Sequence, residues 1–156
     1  MTRIDVHPPK MLCDQHLISN HREIKRICNR LRQRIEKNKF DDIPVAFYEP
    51  EHDRFKELFW LDKGMWTQLR YKELRDECYE RGFDVSDYED NWVIYLEKQD
   101  YLNNFEPTYV HYNLLENRIM SRLKGMKSIR YYGKEYSFED FKENIWDIQK
   151  KELNLH

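Results

Sequence analysis

"HREIKRICNRLRQRI", residues 21–35, sets six Lys or Arg around a single acid, Glu23, while its apolar residues return at helical spacing. Ile24, Ile27, Cys28, Leu31 and Ile35, with Leu17 before them, fall on one side of a helical wheel. The pattern predicts one long amphipathic helix running from an N-cap at Asp14 to about Asn38. On that wheel Glu23 sits about 40° from Ile27 and about 60° from Arg26, at the seam between the apolar and basic stripes. His16 lies nearly above it, two turns earlier. Two readings of Glu23 stand open: an exposed ion-pair partner for Arg26, contributing about 0.3–0.5 kcal/mol, or a partly desolvated carboxylate with a chemical task.

The rest of the composition narrows the class. With 156 residues and 40% hydrophobic content the chain suits one compact domain with a sizeable core. Only 4 Gly and 5 Pro favour helices over a hairpin-rich β fold. No apolar run reaches the length of a membrane span and no secretory leader is evident, so a soluble, cytoplasmic protein is expected, with no membrane partner. Cys13, Cys28 and Cys78 are odd in number and show no CxxC spacing, which suits reduced thiols. Cys13 and His16 have a ligand-like spacing but lack a second pair, so no metal is expected.

A formal net charge of -2 conceals strong segregation along the chain. Residues 1–40 carry ten Lys or Arg against four acids, and residues 117–134 carry six against none. Two such segments either converge on a phosphate-binding surface or remain separate solvated faces.

Beyond the first helix, a loop with Pro44 and Pro50 leads to the aromatic Phe59 and Trp60, and then a second helix is expected over about Lys63–Arg81. Gly82 stands at its C-terminal capping position. Residues 86–107 are acidic and aromatic without a clean period, and read as an irregular insertion with room for a short helix. A third helix is expected from near Thr108 to near Gly125, burying Leu115, Ile119 and Leu123 with Arg118 and Arg122 beside them. "SFED" at 137–140 resembles a capping box, with Tyr136 and Phe141 as its hydrophobic staple. The helix it opens, to about Leu153, is expected to bury Phe141, Ile145 and Ile148. The fold class read from the chain is therefore all-α: a single compact helical domain, with an extended N-terminal arm and an extra C-terminal helix within 137–156.

The chain starts "MTRI", and removal of Met1 exposes the α-amine of Thr2. Such an amine, with a reference pKa near 7.7–8.0, is a far better nucleophile at neutral pH than a lysine. "MTRI" at 1–4, "DQHL" at 14–17 and "REI" with Arg26 together resemble the pyrimidine-dimer DNA glycosylase family of the phage endonuclease V type, in register and without a gap. "DK" at 62–63, "ECYERGF" at 77–83 and "YYGK" at 131–134 extend the similarity. In place of the family's glycine-rich stretch before the second helix stands "EPEHDRF" at 49–55, and Ser128 and Ile129 replace aromatics.

That resemblance implies a bifunctional base-excision enzyme, an N-glycosylase and abasic-site lyase, needing neither metal nor cofactor. Its partner would be double-stranded DNA carrying pyrimidine dimers or abasic sites, met by a monomer. It assigns the nucleophilic amine to Thr2 and the catalytic carboxylate to Glu23. DNA contacts fall to Arg3, Gln15, His16, Arg22, Arg26, Arg118, Arg122 and Lys134, the family having Lys where Arg122 stands. For Tyr131 and Tyr132 stacking on DNA and packing in the core stand open side by side. The alternative to the enzyme is a non-catalytic helical DNA-binding module that kept the fold.

Overall fold

The computed structural model describes residues 4–40 and 53–155, with side chains described for 4–40 and 57–155. Thr2, Arg3, Pro44, Pro50 and His52 lie outside the described residues, as does most of "EPEHDRF". Among the described residues the protein is helical apart from one small hairpin. The described residues fall into two compact units: residue 4 with 20–40 and 53–106, and residues 5–19 with 107–155.

The predicted first helix is two. Helix α1 spans Asp14–Glu23 and α2 spans Arg26–Lys37. Around the junction the backbone tightens, because Ile27 and Cys28 donate to the carbonyls of Ile24 and Lys25, three residues back instead of four. The apolar stripe continues through the junction: Ile24, Ile27, Cys28 and Leu31 are all buried. Asp14 is the first helical residue of α1 and not the cap before it. Asn38 ends α2 in the left-handed conformation, with Asn38 and Lys39 donating to Ile35 and Arg34, a Schellman arrangement.

In the first unit α3 (Asp53–Leu61) and α4 (Gly64–Glu80) follow. The aromatic pair Phe59 and Trp60 thus belongs to a helix that periodicity did not reveal, and both side chains are buried. Helix α4 matches its expected span, and Gly82 terminates it with φ 82°. The acidic stretch 86–107 holds a 3-10 turn at Glu89–Glu97 and a shorter one at Gln99–Tyr101. It is tied in by its aromatic side chains: Trp92 Nε1 donates to Thr67 Oγ1 at 3.0 Å, Tyr95 OH to Leu61 O at 2.8 Å and Tyr101 OH to Phe40 O at 3.1 Å. Gly64 is required by that packing, since a Cβ there would lie 2.5 Å from the Tyr95 ring.

In the second unit the N-terminal arm, expected to be extended, is buried at Asp5, Val6 and His7, and Pro9–Met11 forms a 3-10 turn. Helix α5 (Tyr109–Lys124) starts after Thr108 and ends at Gly125, burying Leu115, Ile119 and Leu123 as its spacing required. Next comes an antiparallel hairpin, β1 (Ile129–Tyr131) with β2 (Lys134–Tyr136). Ser137 caps the tail, its Oγ accepting from the Asp140 N–H at 3.2 Å, while the Tyr136 and Phe141 rings meet at 6.5 Å as a staple.

The tail corrects one expectation. Between α6 (Phe138–Phe141) and α7 (Asp147–Glu152) lies a π turn, Lys142–Trp146, in which the Asp147 N–H reaches back five residues to Lys142 O. The wider turn brings Trp146, not Ile148, onto the face of Phe141. Phe141 and Trp146 are fully buried, and Trp146 Nε1 donates to Glu116, whereas Ile148 is 47% exposed. Trp146→Ala should therefore lower stability by about 3–5 kcal/mol in urea unfolding. Ile148→Ala should stay within about 0.5 kcal/mol of the parent, and a reversed ranking would contradict the π turn.

Candidate functional site

Glu23 closes α1 directly before the tightened junction, and Arg26 opens α2 directly after it. Because Ile24 and Ile27 are held in the core, Glu23 takes the seam, with its side chain 14% exposed. Arg26 Nη1 lies 3.9 Å from Glu23 Oε1 and is itself 45% exposed. A pair so long and so wet contributes under about 1 kcal/mol. Arg22 is exposed beside them. The result is a sheltered carboxylate with one solvent-facing guanidinium beside it and the exposed Arg22 adjacent in sequence, an arrangement able to stabilise a nearby positive charge while the arginines bind anions.

A second cluster backs α1 in the same unit. The buried His21 ring lies between Tyr71 and Tyr88, with centroids 5.3 and 5.2 Å away, and Lys25 Nζ stands 3.7 Å from the Tyr88 centroid. Burial pushes the His21 imidazole below its ordinary value, aided by Lys25 and Arg75 and opposed by Asp87. Tyr71 OH donates to Asp87 Oδ1 at 2.8 Å and accepts the Tyr88 N–H. The Glu89 N–H, Tyr71 OH and Arg75 together hold the Asp87 carboxyl low. Arg75, 2.9 Å from Glu89, and Lys72, 3.2 Å from it, do the same for Glu89. The acidic insertion, opaque as sequence, thus returns Asp87 and Tyr88 to the flank of α1. The sequence alone assigns no catalytic role to His21 and does not foretell the cluster.

The second unit carries the other expected contacts. The Gln15 amide is engaged at both ends, Nε2 donating to Ser128 O and Oε1 accepting from the Arg130 N–H, each at 3.0 Å. His16 is buried, at 4% exposure. Arg118 and Arg122 are half-buried one turn apart on α5, and Nε and Nη2 of Arg118 are out of solvent. The two tyrosines part ways. Tyr131 is buried, its OH donating to Lys10 O and accepting from Gln149 Nε2, both at 2.8 Å, whereas Tyr132 is 45% exposed at the hairpin tip. Lys134 is exposed next to the tip. Thr2 and Arg3 lie outside the described residues.

Among the described residues no group of three or more His, Cys, Asp or Glu is arranged to hold a metal ion, and no helix is long and apolar enough to cross a membrane. A family model described as pyrimidine dimer DNA glycosylase matches residues 1–90. The matched range includes Thr2, Arg3, Gln15, His16, Arg22, Glu23 and Arg26, and ends before α5, the hairpin and the tail.

The buried imidazole makes stability pH-dependent with a definite sign. His21 stays neutral in the folded chain but protonates once unfolded near pH 6.5, so stability is complete above that value and falls as pH drops below it. Asp87 and Glu89, held low, lose their contributions only in more acidic solution. Thermal unfolding followed from pH 7 to pH 5 should show a declining midpoint, and His21→Phe should flatten that decline. An identical slope in the variant would remove His21 from this role.

Proposed function

Because the chain belongs to the pyrimidine dimer DNA glycosylase family, we propose that it is a base-excision repair enzyme acting on damaged duplex DNA, with cyclobutane pyrimidine dimers as its substrate. It works as an N-glycosylase and then as an abasic-site lyase. The whole chain, residues 1–156, acts as one functional domain and as a monomer in the cytoplasm.

The observation that carries this reading is the placement of Glu23, 14% exposed, with Arg26 Nη1 3.9 Å away and the exposed Arg22 next to it in sequence. The α-amine of Thr2, freed by removal of Met1, attacks C1′ of the damaged nucleotide and the base leaves with the glycosidic electron pair. Positive charge develops on the sugar as that bond breaks, and the Glu23 carboxylate stabilises it. The ring-opened Schiff base acidifies the C2′ protons. Glu23 removes one of them, and the 3′ phosphate departs by β-elimination. No group beyond the chain is needed for any of these steps.

Arg3, Arg22 and Arg26 hold flanking phosphates in this reading, with Arg118, Arg122 and Lys134 of the second unit as further phosphate contacts. Gln15, whose amide is committed to Ser128 and Arg130, serves by holding β1. His16 and Tyr131 are buried and serve by packing in this reading, and Tyr132 supplies an exposed ring.

Glu23→Gln preserves shape but cannot accept a proton. On a duplex with a single abasic site, nicking by Glu23→Gln should fall by about two to four orders of magnitude, with duplex binding retained. Nicking at the parental rate would reduce Glu23 to the ion-pair partner of Arg26, whereas a parent chain that binds the duplex without nicking it would favour a non-catalytic DNA-binding module.

A further inference from the structure

The pairing of Tyr131 with Lys134 leaves Tyr132 and Gly133 as a two-residue loop, with φ values of 51° and 78°. Two positive φ angles define a type I′ turn, which favours Asn-Gly, Asp-Gly or Gly-Gly. Gly133 fits. Tyr132 does not, because a bulky side chain in the left-handed region is an outlier that persists only where its surroundings impose it.

Those surroundings are built from α1. Asp14, 3% exposed, accepts the Tyr132 N–H on Oδ1 at 3.1 Å and the Gly133 N–H on Oδ2 at 2.9 Å. A carboxylate accepting two successive turn amides is a charge-assisted, two-point grip. One residue on, Gln15 clips Ser128 and Arg130 at the base of β1. From the other side Gln149 of α7 and the Lys10 carbonyl fix the Tyr131 hydroxyl. A buried carboxylate therefore maintains a disfavoured backbone conformation, and its outcome is a half-exposed ring flanked in sequence by the exposed Arg130 and Lys134.

We propose that Asp14 is a positioning residue, clasping the 132–133 turn so that Tyr132 is presented for stacking on a nucleobase. This rests on the DNA-repair reading above. An exposed aromatic ring with a cation two residues away on either side in sequence suits a base that has lost its pairing partner or neighbour, with phosphates nearby.

The test is binding to a duplex containing a tetrahydrofuran abasic analogue, which cannot form the Schiff base, together with thermal unfolding of each variant. Tyr132→Phe should bind as the parent does. Tyr132→Asn supplies the preferred Asn-Gly turn and should hold the melting temperature, yet weaken binding about five-fold or more. Asp14→Asn should weaken binding in the parent and add nothing in the Tyr132→Asn background, because both changes remove one interaction. Parental affinity in Tyr132→Asn overturns the proposal, as does an Asp14→Asn loss that persists undiminished in the double variant. A parent chain that does not bind the duplex at all refutes the DNA reading and the clasp with it, whereas parental binding with either contrary variant result refutes the clasp alone.

Discussion

Burial of four side chains, Ile24, Ile27, Cys28 and Leu31, is the constraint that orders the region around Glu23. None is more than 1% exposed. The three aliphatic side chains each contribute roughly 1.5–3 kcal/mol when fully buried, so together they outweigh the Glu23–Arg26 pair, at under about 1 kcal/mol, several times over. The rotation of the helical path is therefore decided by the apolar stripe. Glu23 is carried to the seam and Arg22 and Arg26 to the outside as consequences. Even where α1 gives way to α2, the tightened junction keeps the stripe in phase instead of releasing it.

How much of this could be read in advance depends on the range of the interactions involved. Helix ends set by local chemistry were legible: Gly82 after α4, Thr108 and Gly125 around α5, and Ser137 with its staple. The seam position of Glu23 was legible too, because it follows from spacing alone. The junction at Ile24 and Lys25 was not, since no Gly or Pro marks it. The π turn escaped because a wheel with uniform rotation places Ile148 beside Phe141, while the Trp146 bond to Glu116 on α5 selects another phase. The hairpin was hidden by Tyr132, an unusual residue for the first loop position, and the Asp14 contacts that permit it span more than 110 residues. Asp14 read as a local cap for the same reason: nothing near it in sequence discloses a partner so distant.

The acidic insertion shows the same contrast from the other direction. Its lack of period reads as an irregular insertion, and Trp92, Tyr95 and Tyr101 bury their rings and satisfy their polar atoms inside the first unit. Aromatic residues with one polar tip do not need a repeating pattern to pack, only an apolar surface and one acceptor within reach. Asp87 and Tyr88 then bring charge and a ring to the flank of α1, so the segment helps define the electrostatic surroundings of that helix.

In the proposed reaction the α-amine of Thr2 is the nucleophile and Glu23 its carboxylate partner. Borohydride reduction during reaction with an abasic duplex tests it most directly, because it converts a transient Schiff base into a stable covalent adduct whose position can be mapped by peptide mass spectrometry. The account predicts an adduct on the N-terminal peptide, at the amine of Thr2 in a chain that has lost Met1. An adduct on a lysine side chain, or none under conditions where the duplex is cleaved, would contradict it.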